Sequence, residues 1–249
     1  MRIALIADIH GNATGLDAVL VEIDRLGADE IVCLGDVAVL GPKPKAVISR
    51  LRDLGSVVVR GNSDAWLVDE PSGAEQASLG PVADLRDWTL SQLDNTDLAT
   101  IRGYPRHHTV TFADGSALIC AHGSPRSFED VIGPSTPVAA IAEMFTGHTA
   151  AFAAGGQTHV QLYRRFADLG FINPGSAGLP GAGPNTPDLP GNRNVTWVEF
   201  AILNISVRTV SVDLRRVSID LEGMLDAARA TSMPHFDWWR ARWGGHSRT

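Results

Sequence analysis

The chain has 249 residues, a formal net charge of −7, and 44% hydrophobic and 20% charged residues. That length suits an α/β domain with a sizeable core, and the acidic balance argues against a broad nucleic-acid-binding face. No apolar run has the length needed to cross a bilayer, so neither a membrane span nor a membrane partner is expected.

Residues 2–7 (RIALIA) are apolar and run into Asp8, which predicts a buried strand with a polar C-terminal end rather than a signal peptide. Asn12 is placed to cap a helix reaching Leu26, because Leu16, Val19, Leu20, Ile23 and Leu26 recur at helical spacing and Gly27 stops it. A second strand, Glu30 to Leu34, ends at Gly35-Asp36, and Pro42 and Pro44 punctuate the following loop. A helix from Lys45 to Leu54 leads into a third strand, Val57 to Arg60, which ends at Gly61-Asn62. Three β-α units in succession imply a largely parallel sheet with helices on its faces.

Residues 63–105 are helical in pattern, most clearly over Ala83–Leu93, and are expected to form a helical insertion beside the active-site edge. Ala113-Asp114-Gly115 signals a hairpin between Thr109–Phe112 and Ser116–Ala121, the second strand ending at His122. A helix is expected over Pro137–Phe145, then a short strand, Ala150–Ala154, that ends at Gly155-Gly156-Gln157-Thr158-His159. Further strands are expected over 160–166, 170–172, 194–202 and 205–212, with residues 178–194 as a loop rich in Gly, Pro and Asn. Residues 213–249 are assigned to a C-terminal tail, helical from Leu221, with Trp238, Trp239 and Trp243 packing it back onto one domain spanning 1–249. Cys33 and Cys120 lie inside strand-like apolar runs; they read as small buried residues in a reducing, cytoplasmic protein rather than as a disulfide framework.

Five strand ends therefore carry polar groups: Asp8-x-His10, Gly35-Asp36, Gly61-Asn62, His122 and Gln157-x-His159. Each is weak alone. Jointly they place carboxylates, imidazoles and amides at the C-terminal ends of successive strands, expected to lie in one sheet, where α/β folds build their sites. Imidazole and carboxylate together bind Zn, Fe, Mn or Ni, and a carboxylate shared by two metals suits phosphoryl transfer.

The order D-x-H, G-D, G-N-x-D, H, G-x-T-H resembles the calcineurin-like metallophosphoesterases. ADIHGN, GDVAVLGPKP, RGNSD, AHGSP and GQTHVQ followed by INPGS resemble their small bacterial and archaeal branch, which includes phosphodiesterases and hydrolases of diadenosine polyphosphates. The resemblance covers about residues 1–210. It implies a four-layer αββα sandwich with two mixed sheets and a site at one edge, and two divalent metal ions (Mn, Fe, Zn or Ni, with Mn favoured). It further implies that Asp8, His10 and His159 bind the first ion, that Asp36 bridges, and that Asn62 and His122 bind the second. A bridging hydroxide would be the nucleophile, with Asp36, Asn62 and His122 as the catalytic group, acting on a small, nucleotide-like phosphate ester. An oligomer is compatible with this reading.

Two positions depart from the family. Gln157 stands where a second-metal His is usual, so that site is expected to be weak and to prefer Mn or Mg. Ser63 stands where the protein-phosphatase branch has a His that protonates the leaving group, and a serine hydroxyl does not do this near neutral pH. A non-catalytic scaffold on the same fold, as the retromer subunit illustrates, is the competing reading, and Gln157 is the feature that favours it. Gly147-His148-Thr149 imitates half the motif, but Ala150 follows it, so His148 reads as structural. His107 and His108 read as exposed. Arg126 is a candidate phosphate ligand or a plain surface residue. Asn173 and Ser176 are candidate supports for the metal ligands.

Overall fold

The computed structural model describes residues 1–68, 80–181, 195–206 and 209–243. The chain begins with β1 (Arg2–Ile6), α1 (Ala13–Leu26), β2 (Glu30–Cys33), α2 (Pro44–Asp53) and β3 (Val57–Val58). Three helices follow, α3 (Asn62–Val68), α4 (Pro81–Gln92) and α5 (Asn95–Gly103), and then the hairpin β4 (His107–Thr111) and β5 (Ala117–Ala121). Next come α6 (Val138–Met144), β6 (Phe152–Ala154), β7 (Leu162–Phe166) and β8 (Leu169–Asn173). The long strands β9 (Trp197–Ile205) and β10 (Val210–Ser218) precede α7 (Leu221–Ala230) and α8 (Phe236–Ala241).

The strands form two mixed sheets of five, ordered β10-β9-β1-β2-β3 and β4-β5-β6-β8-β7. In the first sheet β1, β2 and β3 are parallel, as the repeated β-α units require, and β9 joins β1 antiparallel. In the second, β5, β6 and β8 are parallel, with β4 and β7 antiparallel at the edges.

Strand alternation explains why β1 is apolar throughout. Ile3, Leu5 and Ala7 face the other sheet, where they meet Leu118, Cys120, Ala154 and Ile172. Ala4 and Ile6 face the helical layer, where Leu16, Val19 and Ile23 of α1 and Val47, Ile48 and Leu51 of α2 pack. A third cluster buries Ile141 and Phe145 against Ile119 and Phe171 on the outer face of the second sheet. Helix, sheet, sheet, helix is the four-layer arrangement expected from the resemblance.

Local signals act as expected at α1. Asn12 Oδ1 accepts from the Gly15 N–H at 2.9 Å, and Gly27 closes the helix in the left-handed region at φ 70°. Trp239 and Trp243 are buried in the cluster under the first sheet, which seats α7 and α8 on the helical layer.

Several expected boundaries move. β3 is only two residues long, because the Arg60 N–H turns away to the Pro105 carbonyl at 2.8 Å. The strands expected over 194–202 and 205–212 are displaced to 197–205 and 210–218, since the apolar run of β9 stays paired through Ile205 and the reversal falls at Ser206–Thr209. Residues 213–218 thus belong to β10 and not to the C-terminal tail. Of the 178–194 loop, residues 182–194 lie outside the described residues, as do 69–79 of the expected insertion and 244–249 of the tail.

Candidate metal centre

The polar strand ends converge on one edge of the sandwich, but they come from two sheets and not from one. Asp8, His10, Asp36 and Asn62 follow β1, β2 and β3 of the first sheet, whereas His122, Gln157 and His159 follow β5 and β6 of the second. The parallel strands of each sheet aim their C-terminal ends at the same seam. Asp8, His10, His122 and His159 are at most 1% exposed and Asp36 is 2% exposed, while Asn62 and Gln157 are half-buried. The charged and imidazole groups thus form the floor, and the two amides stand nearer the solvent.

The floor divides into two donor sets. Asp8, His10 and His159 can converge on one cation, and Asp8, Asp36 and His122 on another. His10 Nε2 lies 3.0 Å from His159 Nε2. Asp36 reaches both sides, with Oδ2 3.7 Å from His10 Nε2 and Oδ1 3.5 Å from His122 Nε2. The Asn62 and Gln157 side-chain oxygens lie 3.1 and 2.8 Å from His122 Nε2.

The three histidines share one device. Nδ1 of His10, His122 and His159 faces the carbonyls of Val39, Leu34 and Leu179 at 2.9, 2.8 and 2.8 Å. A carbonyl only accepts, so each Nδ1 carries a proton; at His10 and His159, which burial keeps neutral, Nε2 turns a lone pair into the site, whereas His122 Nε2 faces the Asn62 and Gln157 oxygens. His10 and His159 therefore oppose two lone pairs at 3.0 Å, an arrangement that needs a cation between or beside them. Asp8 Oδ2 is buried with no hydrogen-bond partner, a second group that a cation would satisfy. The donors present fit divalent metal.

The electrostatics agree. Burial, reinforced by neighbouring His10, pushes the His159 imidazole down to about 3, and burial likewise lowers His10. Burial drives the Asp8 carboxyl up to about 8. Burial also opposes charge on His122, yet Asp36 and Asp8 outweigh it and hold that imidazole at about 9. The cluster competes for too few protons, and a cation resolves that competition.

The backbone is bent to make these contacts. Asp8, His10, Asp36, Gln157 and His159 all have φ between 48° and 71°, a region most side chains avoid and one in which strain collects at functional sites. Asp64 supports the turn: its buried carboxylate accepts from the N–H groups of Asp36, Val37 and Gly61 at 2.8, 2.9 and 3.0 Å. Its role went unread in the sequence, although the G-N-x-D spacing contained it. Asn173 and Ser176 act through the main chain, Asn173 donating to the Gly156 carbonyl at 2.6 Å and Ser176 to the Asp8 carbonyl at 2.7 Å.

Other candidates fall outside the cluster. Asn12 is fully buried, capping α1 with Oδ1 and donating from Nδ2 to the Gly178 carbonyl, so its side chain is consumed by the fold. Arg126 is not a free phosphate ligand, since its Nε donates to Asp130 at 2.8 Å, one helical turn's spacing along the chain. His107 and His108 are half-buried and not exposed; the His107 ring stands edge-on to His148 at 5.1 Å between centroids. His148 joins no metal-competent group among the described residues. Cys33 and Cys120 are free and buried, and burial raises both thiols.

The description of the calcineurin-like phosphoesterase superfamily domain matches residues 1–187. The uncharacterized protein MJ0912 of Methanocaldococcus jannaschii is 29% identical over 196 residues, covering 74% of this chain and 79% of that protein. A metallophosphoesterase from Sphaerobacter thermophilus superposes with a TM-score of 0.72 at 24% identity, over 97% of this chain and 98% of the other. Hypothetical protein PH1004 from Pyrococcus horikoshii OT3 superposes with a TM-score of 0.77 at 19% identity, over 96% of each chain. Those two structures are similar in fold throughout the sandwich. The match across three-quarters of the chain reaches from Asp8 to Leu179 and so takes in every strand end that faces the seam: this protein belongs to the calcineurin-like phosphoesterase superfamily and is a hydrolase of phosphoric ester bonds.

Proposed function

We propose that the protein hydrolyses a phosphate ester of a small, nucleotide-type molecule with the help of two divalent cations, manganese preferred. Asp8, His10 and His159 would hold the first, Asn62, His122 and Gln157 the second, and Asp36 both. The observation that carries this reading is the pair of bare Nε2 lone pairs of His10 and His159, 3.0 Å apart beside the unpartnered Asp8 Oδ2. Bound divalent ions supply positive charge to the phosphoryl oxygens and lower the pKa of water.

The chain's own residues hold that arrangement. The carbonyls of Val39, Leu34 and Leu179 fix the imidazole orientations. The Ser63 N–H donates to Asp36 Oδ1 at 3.0 Å and steadies the shared carboxylate. Asn62 Nδ2 is turned toward Glu129 at 3.4 Å, which leaves its oxygen facing the site. Ser63 offers no proton near neutral pH, so substrates whose leaving group departs without protonation are favoured. Gln157 presents a neutral oxygen where an imidazole would bind more tightly, which weakens the ion beside His122.

The reading is tested by hydrolysis of bis(p-nitrophenyl) phosphate and of a phosphoserine peptide, after stripping metal and adding back Mn, Mg, Zn or Ni. Turnover of the diester that depends on metal, is greatest with Mn and exceeds that of the peptide is expected. No turnover of either with any metal would overturn it.

A further inference from the structure

Arg106 is exposed and lies outside the candidate ligand set. It precedes β4, and because His107 pairs with Ala121, the antiparallel register sets Arg106 beside His122. Within the strands His108 and Val110 share a face with Leu118 and Cys120, Val110 packing between the sheets, and that alternation carried one residue further gives Arg106 and His122 the same side. On the other side, the Arg60 N–H donates to the carbonyl of Pro105 at 2.8 Å, which ties this segment to the Gly61-Asn62 turn. The backbone at Arg106 therefore runs next to the seam where the Asn62 and His122 ends of the two sheets meet.

Its guanidinium lies 4.1 Å from the ring centre of Phe128, and no carboxylate pairs with it among the described residues. Most other exposed arginines among the described residues differ in this: Arg25, Arg50, Arg126, Arg216, Arg229 and Arg240 each engage an acidic neighbour. The loop under Arg106 is internally hydrogen-bonded. Phe128 belongs to the 123–130 loop after His122, in which Ser124 Oγ donates to Asp130 at 2.5 Å and accepts from the N–H groups of Arg126 and Ser127. A guanidinium held over an aromatic face keeps N–H donors available, and that fork matches phosphoryl oxygens.

We propose that Arg106, held on Phe128, binds phosphoryl oxygens of the substrate beside the His122–Asn62 side of the centre. The inference rests on the phosphohydrolase reading for its substrate, but its binding test does not. The phosphoryl group is either the one being cleaved or a neighbouring one in a polyphosphate.

The test measures inorganic pyrophosphate binding by calorimetry to metal-loaded wild-type protein, Arg106→Ala, Arg106→Lys and Phe128→Ala, together with kcat and KM. Arg106→Ala should weaken pyrophosphate about tenfold, the size of a lost charge-assisted hydrogen bond, with metal content held. Arg106→Lys should recover part of the loss, since it keeps charge but not the fork. KM should rise more than kcat falls. A rise on both bis(p-nitrophenyl) phosphate and a dinucleoside polyphosphate assigns Arg106 to the cleaved phosphate, and a rise confined to the polyphosphate assigns it to the neighbouring one. Unchanged pyrophosphate affinity in Arg106→Ala, or wild-type protein that binds none, would overturn the inference. Wild-type protein that binds pyrophosphate through Arg106 yet cleaves neither ester would instead defeat the hydrolase reading and leave this one standing.

Discussion

At the scale of single residues, the donors that face the seam were legible because each ends an apolar run: Asp8, Asp36, Asn62, His122 and His159 are polar groups where a buried strand stops. Gln157 makes the sharpest residue-level prediction. Its position has φ 71°, which His tolerates better than most side chains, so Gln157→His replaces a neutral oxygen by an imidazole without new backbone strain. The replacement should tighten the weaker ion by about tenfold or more, as ligand changes around metals do; unchanged affinity in a metal titration would show that residue 157 does not touch the ion. Asp64 was not legible in its role, because its three partners are backbone N–H groups, two of them on a turn far along the chain. Asp64→Ala leaves those donors buried and unpaired, at about 1–3 kcal/mol each. Denaturant unfolding should therefore show a loss of at least about 3 kcal/mol, and a loss under about 1 kcal/mol would contradict the clamp.

At the scale of elements, the β-α units, the hairpin and the two caps of α1 follow from local chemistry, and they appear where the sequence places them. What escaped was pairing between distant segments. β3 stops early because Arg60 is drawn to Pro105, and the β9–β10 reversal lies in a stretch with no Gly or Pro to mark it. The division of the donors between two sheets escaped for the same reason: successive strand ends look alike in sequence whichever sheet receives them. The crossing between elements is tight at the Gly61 turn, where an added Cβ would sit 2.0 Å from Asp36 Oδ1 and 2.5 Å from the Asp36 nitrogen. Gly61→Ala must therefore displace the shared carboxylate, with a stability cost of about 1–3 kcal/mol from overpacking. Metal content should fall while circular dichroism keeps the wild-type spectrum; normal metal uptake would show that Asp36 moves without consequence.

For the whole molecule, the two sheets share an apolar core, and the candidate metal centre draws Asp8, His10, Asp36 and Asn62 from the first sheet and His122, Gln157 and His159 from the second. Cation binding should accordingly stabilise the fold, by about 2.7 kcal/mol at a free ion concentration one hundred times Kd. A chelator should lower Tm by several degrees, and an unchanged Tm would mean that the ions do not tie the sheets together. The most direct measurement is metal content by mass spectrometry on wild-type protein and Asp36→Ala, both purified and then equilibrated with Mn. The account predicts about two ions per wild-type chain, the second the more easily lost, and loss of both ions in Asp36→Ala, with turnover falling by at least about a hundredfold. Wild-type protein that takes up no stoichiometric metal, or an Asp36→Ala variant that keeps both ions, would contradict it.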